Sequence, residues 1–304
     1  MNFADDDSGR ATGLRAQRAT GKLHLRYEDL AQDGRPLLTT LPVALGVLWR
    51  SLSIPGPARE KMRQEGIIPI LTRYSIDAFA GPFAIERPLE VEGGYELTHA
   101  RSDKGEVSRI FLDMQATMTG KKGRTNLPPT DDEGASAVAG TIDVEHVFTR
   151  PFAPPGERKI TSLDFDGTPF VPEKQRDFVP PQAAIDLPRD ARAIDSHFVE
   201  DPTRLALGIM HTDSNQHVNS LVYPRLFEEA ALRRLAALGR STEVLGRSLL
   251  VTYRRPSFAG ESLRVFVRAF DTDRGIACAG YFFGSSDDAS KIDRARAFIQ
   301  MRFE

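Results

Sequence analysis

The 304-residue chain is 40% apolar and 27% charged, which is enough for a real core and suggests two domains of ordinary size. Its 40 basic and 42 acidic side chains leave a formal charge of −2, which excludes the basic footprint of a nucleic-acid binder and any bias toward an anionic membrane. One cysteine, Cys278, excludes an internal disulfide, so the chain reads as cytoplasmic.

Residues 1–20 are polar and read as a mobile tail, with no apolar core for a secretory signal. Residues 21–119 read as a first structured unit. KLHLRYEDL (22–30) is a strand candidate, and PVALGVLWRSLSI (42–54) is an apolar helix candidate broken by Pro55 and Pro57. IPILTRYSID (68–77), ERPLEVE (86–92), YELTHA (95–100) and VSRIFLDMQATMTG (107–120) follow as strands. No apolar run approaches the roughly 20 residues of a membrane span.

Residues 120–190 are so rich in proline and glycine that they read as a connector. Only GTIDVEHVFTR (140–150) alternates like a strand, and a connector of this length is expected to pack partly on a domain. Residues 191–304 form the clearer unit. AIDSHFVE (193–200) is a strand candidate. SLVYPRLFEEAALRRLAAL (220–238) has Leu221, Leu226, Ala230, Leu235 and Leu238 at near-helical spacing. Pro224 fits its first turn and Gly239 its end.

Four strands then alternate, around Leu249–Tyr253, Leu263–Ala269, GIACAGYFFG and Ala297–Phe303. Cys278 and Trp49 read as core residues. The fold class is therefore α+β, with two tandem units, each a long helix packed on a curved antiparallel sheet. The repetition is one of architecture, not of sequence.

Between strand and helix of the second unit lies HTDSNQHVN (211–219). With its continuation, DSNQHVNSLVY (213–223), it resembles the Asp-x-Asn-x-His-Val-Asn-Asn-x-x-Tyr run of plant and bacterial acyl-ACP thioesterases of the hotdog fold. Ser220 replaces the second asparagine. VTYRRPSFAGESL (251–263) resembles the Tyr-Arg-Arg run on the family's next strand. Tyr253, Pro256, Gly260 and Glu261 also fit the shorter acyl-CoA enzymes. Where the plant-type enzymes have Glu-Cys, in a region given a catalytic role, stand Pro256 and Ser257, and the sequence offers Ser257 no partner.

The resemblance covers residues 193–304. It implies a double hotdog, an internal pseudo-dimer open to further homo-oligomerisation. An acyl chain would lie in a cleft between units, with its thioester carbonyl near a helix N-terminus. No cofactor and no metal are implied.

The chemistry fits. Thioester hydrolysis needs a carboxylate or imidazole to activate water or attack the carbonyl, and donors for the oxyanion. If 211–217 is extended, His211, Asp213, Asn215 and His217 share one side. Asp213 is then the base or nucleophile, His217 polarises the carbonyl or shares the proton, and Asn215 orients the water or the histidine. Asn219 or Ser220 caps the helix. His211 reads as structural.

Asn219, Tyr223, Arg254 and Arg255 are candidate substrate contacts. The two arginines, like Arg225, Arg233 and Arg234, suit the phosphates of coenzyme A or a phosphopantetheine arm. Glu228 and Glu229 are substitute acids, read as solvated. YEDLAQDGR (27–35) occupies the corresponding place in the first unit without asparagine or histidine. That half reads as silent, with a separate reaction at Asp29 or Asp33 as the alternative.

The favoured activity is hydrolysis of acyl-CoA or acyl-ACP thioesters. Competing readings are a dehydratase of 3-hydroxyacyl thioesters, a non-catalytic acyl-binding protein, an elaborate helix cap, or a metal site from His211, Asp213 and His217.

Overall fold

The computed structural model describes residues 17–51, 56–164 and 169–304. The first half contains β1 (Gln17–Leu23), α1 (Leu45–Ser51), α2 (Gly56–Gln64), β2 (Ile68–Ala78), β3 (Leu89–Arg101), β4 (Val107–Lys121) and β5 (Ser136–Thr149). Short strands follow: β6 (Leu163–Asp164), β7 (Pro169–Phe170), β8 (Arg192–Ala193), β9 (Val199–Glu200) and β10 (Leu205–Ala206). The chain closes with α3 (Val222–Ala237), β11 (Gly246–Tyr253), β12 (Ser262–Thr272), β13 (Gly275–Gly284) and β14 (Ala297–Phe303).

Apart from the β6–β7 hairpin, all the strands join one sheet, ordered β1-β3-β4-β5-β2-β11-β14-β13-β12-β10, with β8 and β9 also on β12. Its first five strands repeat, in reverse, as the last five. The halves meet where β2 and β11 run antiparallel, from Arg73 opposite Thr252 to Asp77 opposite Ser248. The alternation read in the second half sets its two faces. On β12, Leu263, Val265, Val267 and Ala269 are buried and Arg264 and Arg268 are not. Tyr223, Phe227, Ala230, Ala231 and Leu235 recur every three or four residues on α3 and seat that helix on this sheet. Gly239, with φ 68°, ends it.

The first half differs from expectation. No long helix covers it among the described residues. A 3-10 turn (Leu41–Ala44) leads into the seven-residue α1, and the nine-residue α2 begins beside Pro57, which fits only a first turn. Leu52–Pro55, part of the expected helix and its break, lie outside the described residues. The strands expected at 86–92 and 95–100 are one strand, β3. Gly93 and Gly94 make no turn there. A Cβ on Gly93 would strike the Gln115 carbonyl, and one on Gly94 would lie 2.5 Å from the Gln17 carbonyl, so the glycines permit close strand approach.

Gln17–Thr20 belong to β1. Within 120–190, β5 is a full strand paired with both β4 and β2. After Ile160 and Leu163, which join the main core with Met62 and Ile67, residues 169–204 run as a strap along the outer face. Ala184 and Ile185 pack with Phe270, Ala277, Phe283 and Phe298 on the second half. On the first half, Arg176 lies over the Phe111 ring and pairs with Asp113 at 2.6 Å and Glu145 at 2.8 Å. The strap also ties down α3. Arg233 grips Asp201 through two nitrogens, and Arg234 grips Asp195, so these two arginines are held by carboxylates rather than left for phosphates.

Cys278 is fully buried, and burial pushes its thiol up to about 12, in keeping with a core residue. Trp49 packs edge-on against His146 at 5.1 Å. Burial holds that imidazole neutral, its pKa pushed down to about 4. The unfolded chain therefore binds a proton that the folded chain refuses between pH 6.5 and 4. Stability attributed to His146 is complete above pH 6.5 and is lost as pH falls toward 4, by at most about 1.4 kcal/mol per pH unit. His146→Gln should flatten that part of the profile, read as urea midpoints at pH 7 and pH 5. An unchanged slope would show that His146 does not carry it. Among the described residues, no helix is long and apolar enough to cross a membrane.

Candidate active site

The polar motif is a closed turn and not an extended run. Thr212 and Val218 face each other as a single antiparallel bridge. The Asp213 N–H donates to the His217 carbonyl at 3.0 Å, and the Gln216 N–H donates to the Asp213 carbonyl at 2.9 Å. Two local features enforce this. The Asp213 carboxylate accepts the Asn215 N–H at 2.8 Å, the side-chain-to-backbone bond that makes aspartate a turn former. Gln216 takes a left-handed φ of 65°. Alternation therefore does not align His211, Asp213, Asn215 and His217. Asp213 and His211 are half-buried, and Asn215 and His217 are exposed.

His211 has a structural task. Its Nδ1 accepts the Gly208 N–H at 2.9 Å, which places the proton of the neutral ring on Nε2. His217 lies edge-on to Phe258 at 5.8 Å. Asn219 shapes the turn that leads into α3, its side-chain oxygen taking the Leu221 N–H at 2.8 Å and its carbonyl the Val222 N–H at 3.0 Å. The N-cap itself is Leu221, with no side-chain cap bond, so neither Asn219 nor Ser220 is the cap. The turn is thus delivered to the positive end of α3.

The end of β11 lies against the motif. Arg254 and Arg255 are exposed and anchored through their own N–H groups to the Arg296 carbonyl at 2.9 and 3.3 Å. Ser257 has the partner that the sequence did not reveal. It is fully buried, and its hydroxyl accepts the Tyr223 hydroxyl at 2.9 Å. Tyr223 is buried too. Glu261 holds its own loop, accepting the Phe258 N–H at 3.1 Å and pairing with Arg296. Glu229 is exposed, but Glu228 is half-buried beside Gly246, and burial raises its carboxyl above the usual range.

The first half carries the same turn, backbone bond for backbone bond. Leu30 and Pro36 form the bridge that Thr212 and Val218 form. Ala31 N–H donates to the Arg35 carbonyl at 2.8 Å, Gly34 N–H to the Ala31 carbonyl at 2.9 Å, and Leu37 N–H to the Asp29 carbonyl at 3.0 Å. In the motif, the last of these is the bond from Asn219 N–H to the His211 carbonyl, at 2.8 Å. Gly34, with φ 79°, stands where Gln216 does.

Ala31 therefore replaces Asp213, Asp33 replaces Asn215, Arg35 replaces His217 and Leu37 replaces Asn219. Asp33 is held by Arg35 and lies 3.7 Å from the buried guanidinium of Arg247. Asp29 is clasped by Arg26, which holds its carboxyl below the usual range. The twin loop presents paired ions where the motif presents an amide and an imidazole. Besides the backbone, one side-chain bond is shared: Asp29 accepts the Arg26 N–H at 2.9 Å, as His211 accepts that of Gly208.

No protein-family model matches the chain, and no curated protein does. Solved structures do. A Lactobacillus plantarum protein named as an oleoyl thioesterase is 13% identical, with a TM-score of 0.57 over 95% of both chains. An acyl-ACP thioesterase of Bacteroides thetaiotaomicron is 13% identical, with a TM-score of 0.56 over 94% of this chain and 98% of the other. The 12:0-ACP thioesterase of Umbellularia californica is 13% identical, with a TM-score of 0.51 over 95% and 97%. Likeness at this identity is likeness of fold: the chain has the hotdog architecture of these thioesterases across nearly its whole length.

Proposed function

We propose that the chain is a thioester hydrolase for acyl-CoA or acyl-carrier-protein thioesters, built as two tandem hotdog units with its active site on the Asp213–Asn219 turn. The first unit spans 17–149 and the second 205–304, with the strap between them. The observation that carries this reading is the pairing of the two loops. They share one backbone, and only one of them holds a carboxylate, an amide and an imidazole at the start of a long helix.

In the proposed reaction, Asp213 takes a proton from water as the water oxygen attacks the thioester carbonyl. Its bond to Asn215 N–H occupies one carboxylate oxygen and keeps the other aimed. Asn215 orients the water, and His217 hydrogen-bonds the polarised carbonyl. The positive end of α3 stabilises the oxyanion. Collapse breaks the carbon–sulfur bond, and the thiolate recovers the proton. The first unit supplies part of the acyl pocket and no second site.

Arg254 and Arg255 meet the phosphates of the thiol carrier. Arg254→Ala/Arg255→Ala should raise KM about tenfold, leave kcat within about threefold, and weaken the salt dependence of kcat/KM. An unchanged KM and salt slope would remove the arginines from the site.

The test of the function is thiol release from a panel of acyl-CoAs and acyl-carrier proteins by the full chain. Turnover on at least one is expected. Release of no thiol from any, or formation of an enoyl thioester from a 3-hydroxyacyl thioester without thiol, would overturn it.

A further inference from the structure

Three hydrogen bonds join the last part of β11 and the loop after it to the motif. The Val218 N–H donates to the Ser257 carbonyl at 2.8 Å. The Tyr253 hydroxyl donates to the Ser220 carbonyl at 2.7 Å. The Tyr223 hydroxyl donates to the Ser257 hydroxyl at 2.9 Å. One bond holds the returning arm of the turn, one the link to the helix, and one the first turn of α3. The two phenol rings also meet edge to face at 5.6 Å. Burial raises both phenols above their usual range, so each stays a protonated donor wherever the enzyme works.

We infer that Tyr253, Ser257 and Tyr223 form a clamp of positioning residues that fixes the height and tilt of the Asp213–Asn219 turn over the sheet. The inference rests on the thioesterase reading. Its physical basis is leverage. Asp213, Asn215 and His217 all sit on one turn, and the turn's own bonds hold its shape but not its orientation. Orientation is set where the turn meets the sheet, and a displacement of about 1 Å there can cost about a hundredfold in rate. The clamp's hydroxyls bond to one another and to the Ser220 carbonyl, not to Asp213, Asn215 or His217. Ser257 stands where the resemblance puts a residue of the catalytic region, yet here it is an anchor.

The test uses the full chain with whichever acyl thioester it turns over. Tyr223→Phe, Ser257→Ala and Tyr253→Phe should each lower kcat about 10–100-fold, with KM within about threefold and the pH profile unmoved. The Tyr223→Phe/Ser257→Ala double variant should be no worse than the poorer single, because both remove the same bond. Ser257→Cys, close in size and still a weak acceptor, should retain more activity than Ser257→Ala. Amide exchange at Val218 and Leu221, read beside the thermal midpoint, reports the loosened turn even if a variant is too unstable for kinetics. Unaltered kcat in all three singles, a rise in KM instead, a shifted pH profile, or unchanged exchange would overturn the clamp. A wild-type chain that releases no thiol overturns the thioesterase reading; an active wild type with fully active variants overturns only the clamp.

Discussion

Asp213→Ala is expected to lower kcat for acyl-thioester hydrolysis by about three orders of magnitude or more, because it deletes the proposed base. Alanine also deletes the bond from the Asn215 N–H, so the variant alone confuses chemistry with turn formation. Asp213→Asn separates them. An asparagine oxygen accepts the same N–H and keeps the turn, but it cannot take a proton from water. Asp213→Asn should therefore be as inactive as Asp213→Ala, with a thermal midpoint within about 2 °C of wild type. Retained turnover in Asp213→Asn would demote Asp213 from base to turn former. The twin loop bears on this, since it makes the same backbone turn with Ala31 at that position, its carboxylate bond coming instead from Asp33, which accepts the Arg35 N–H at 3.1 Å.

The largest expected effect on stability is at Phe227. It is fully buried on α3 and packs over Gly280, where an added Cβ would lie 2.6 Å from the ring. Phe227→Ala leaves a cavity between helix and sheet that Gly280 cannot fill, at a cost of about 3–5 kcal/mol. For a chain of this size that is a fall of roughly 5–10 °C in Tm. Urea and thermal unfolding measure it. A loss below about 1 kcal/mol would mean that α3 is not seated on β13 as described.

The sequence by itself determined α3 and the four long strands of the second half, but not 193–200, read as one strand and folded as the two-residue β8 and β9 on either side of a bend. The α3 pattern, its proline in the first turn and its terminal glycine lie in one contiguous stretch, as does each alternating strand. The polar motif was legible for the same reason, since its residue types are adjacent. Local rules also misled. The Gly93–Gly94 pair looked like a break because the strand contact that needs it comes from Gln115 and Gln17, far along the chain.

Tertiary structure alone decided the rest. The β2–β11 junction, the twin loop and the bonds from Tyr253 to Ser220 and from Tyr223 to Ser257 join residues far apart in sequence, or match backbones whose residue types differ. The shape of the motif itself was settled by one side-chain bond and one left-handed residue, which override the alternation of its letters. Periodicity and capping are written in neighbouring residues. Register between distant segments depends on which surfaces meet once the chain has folded, and no short window of sequence contains that.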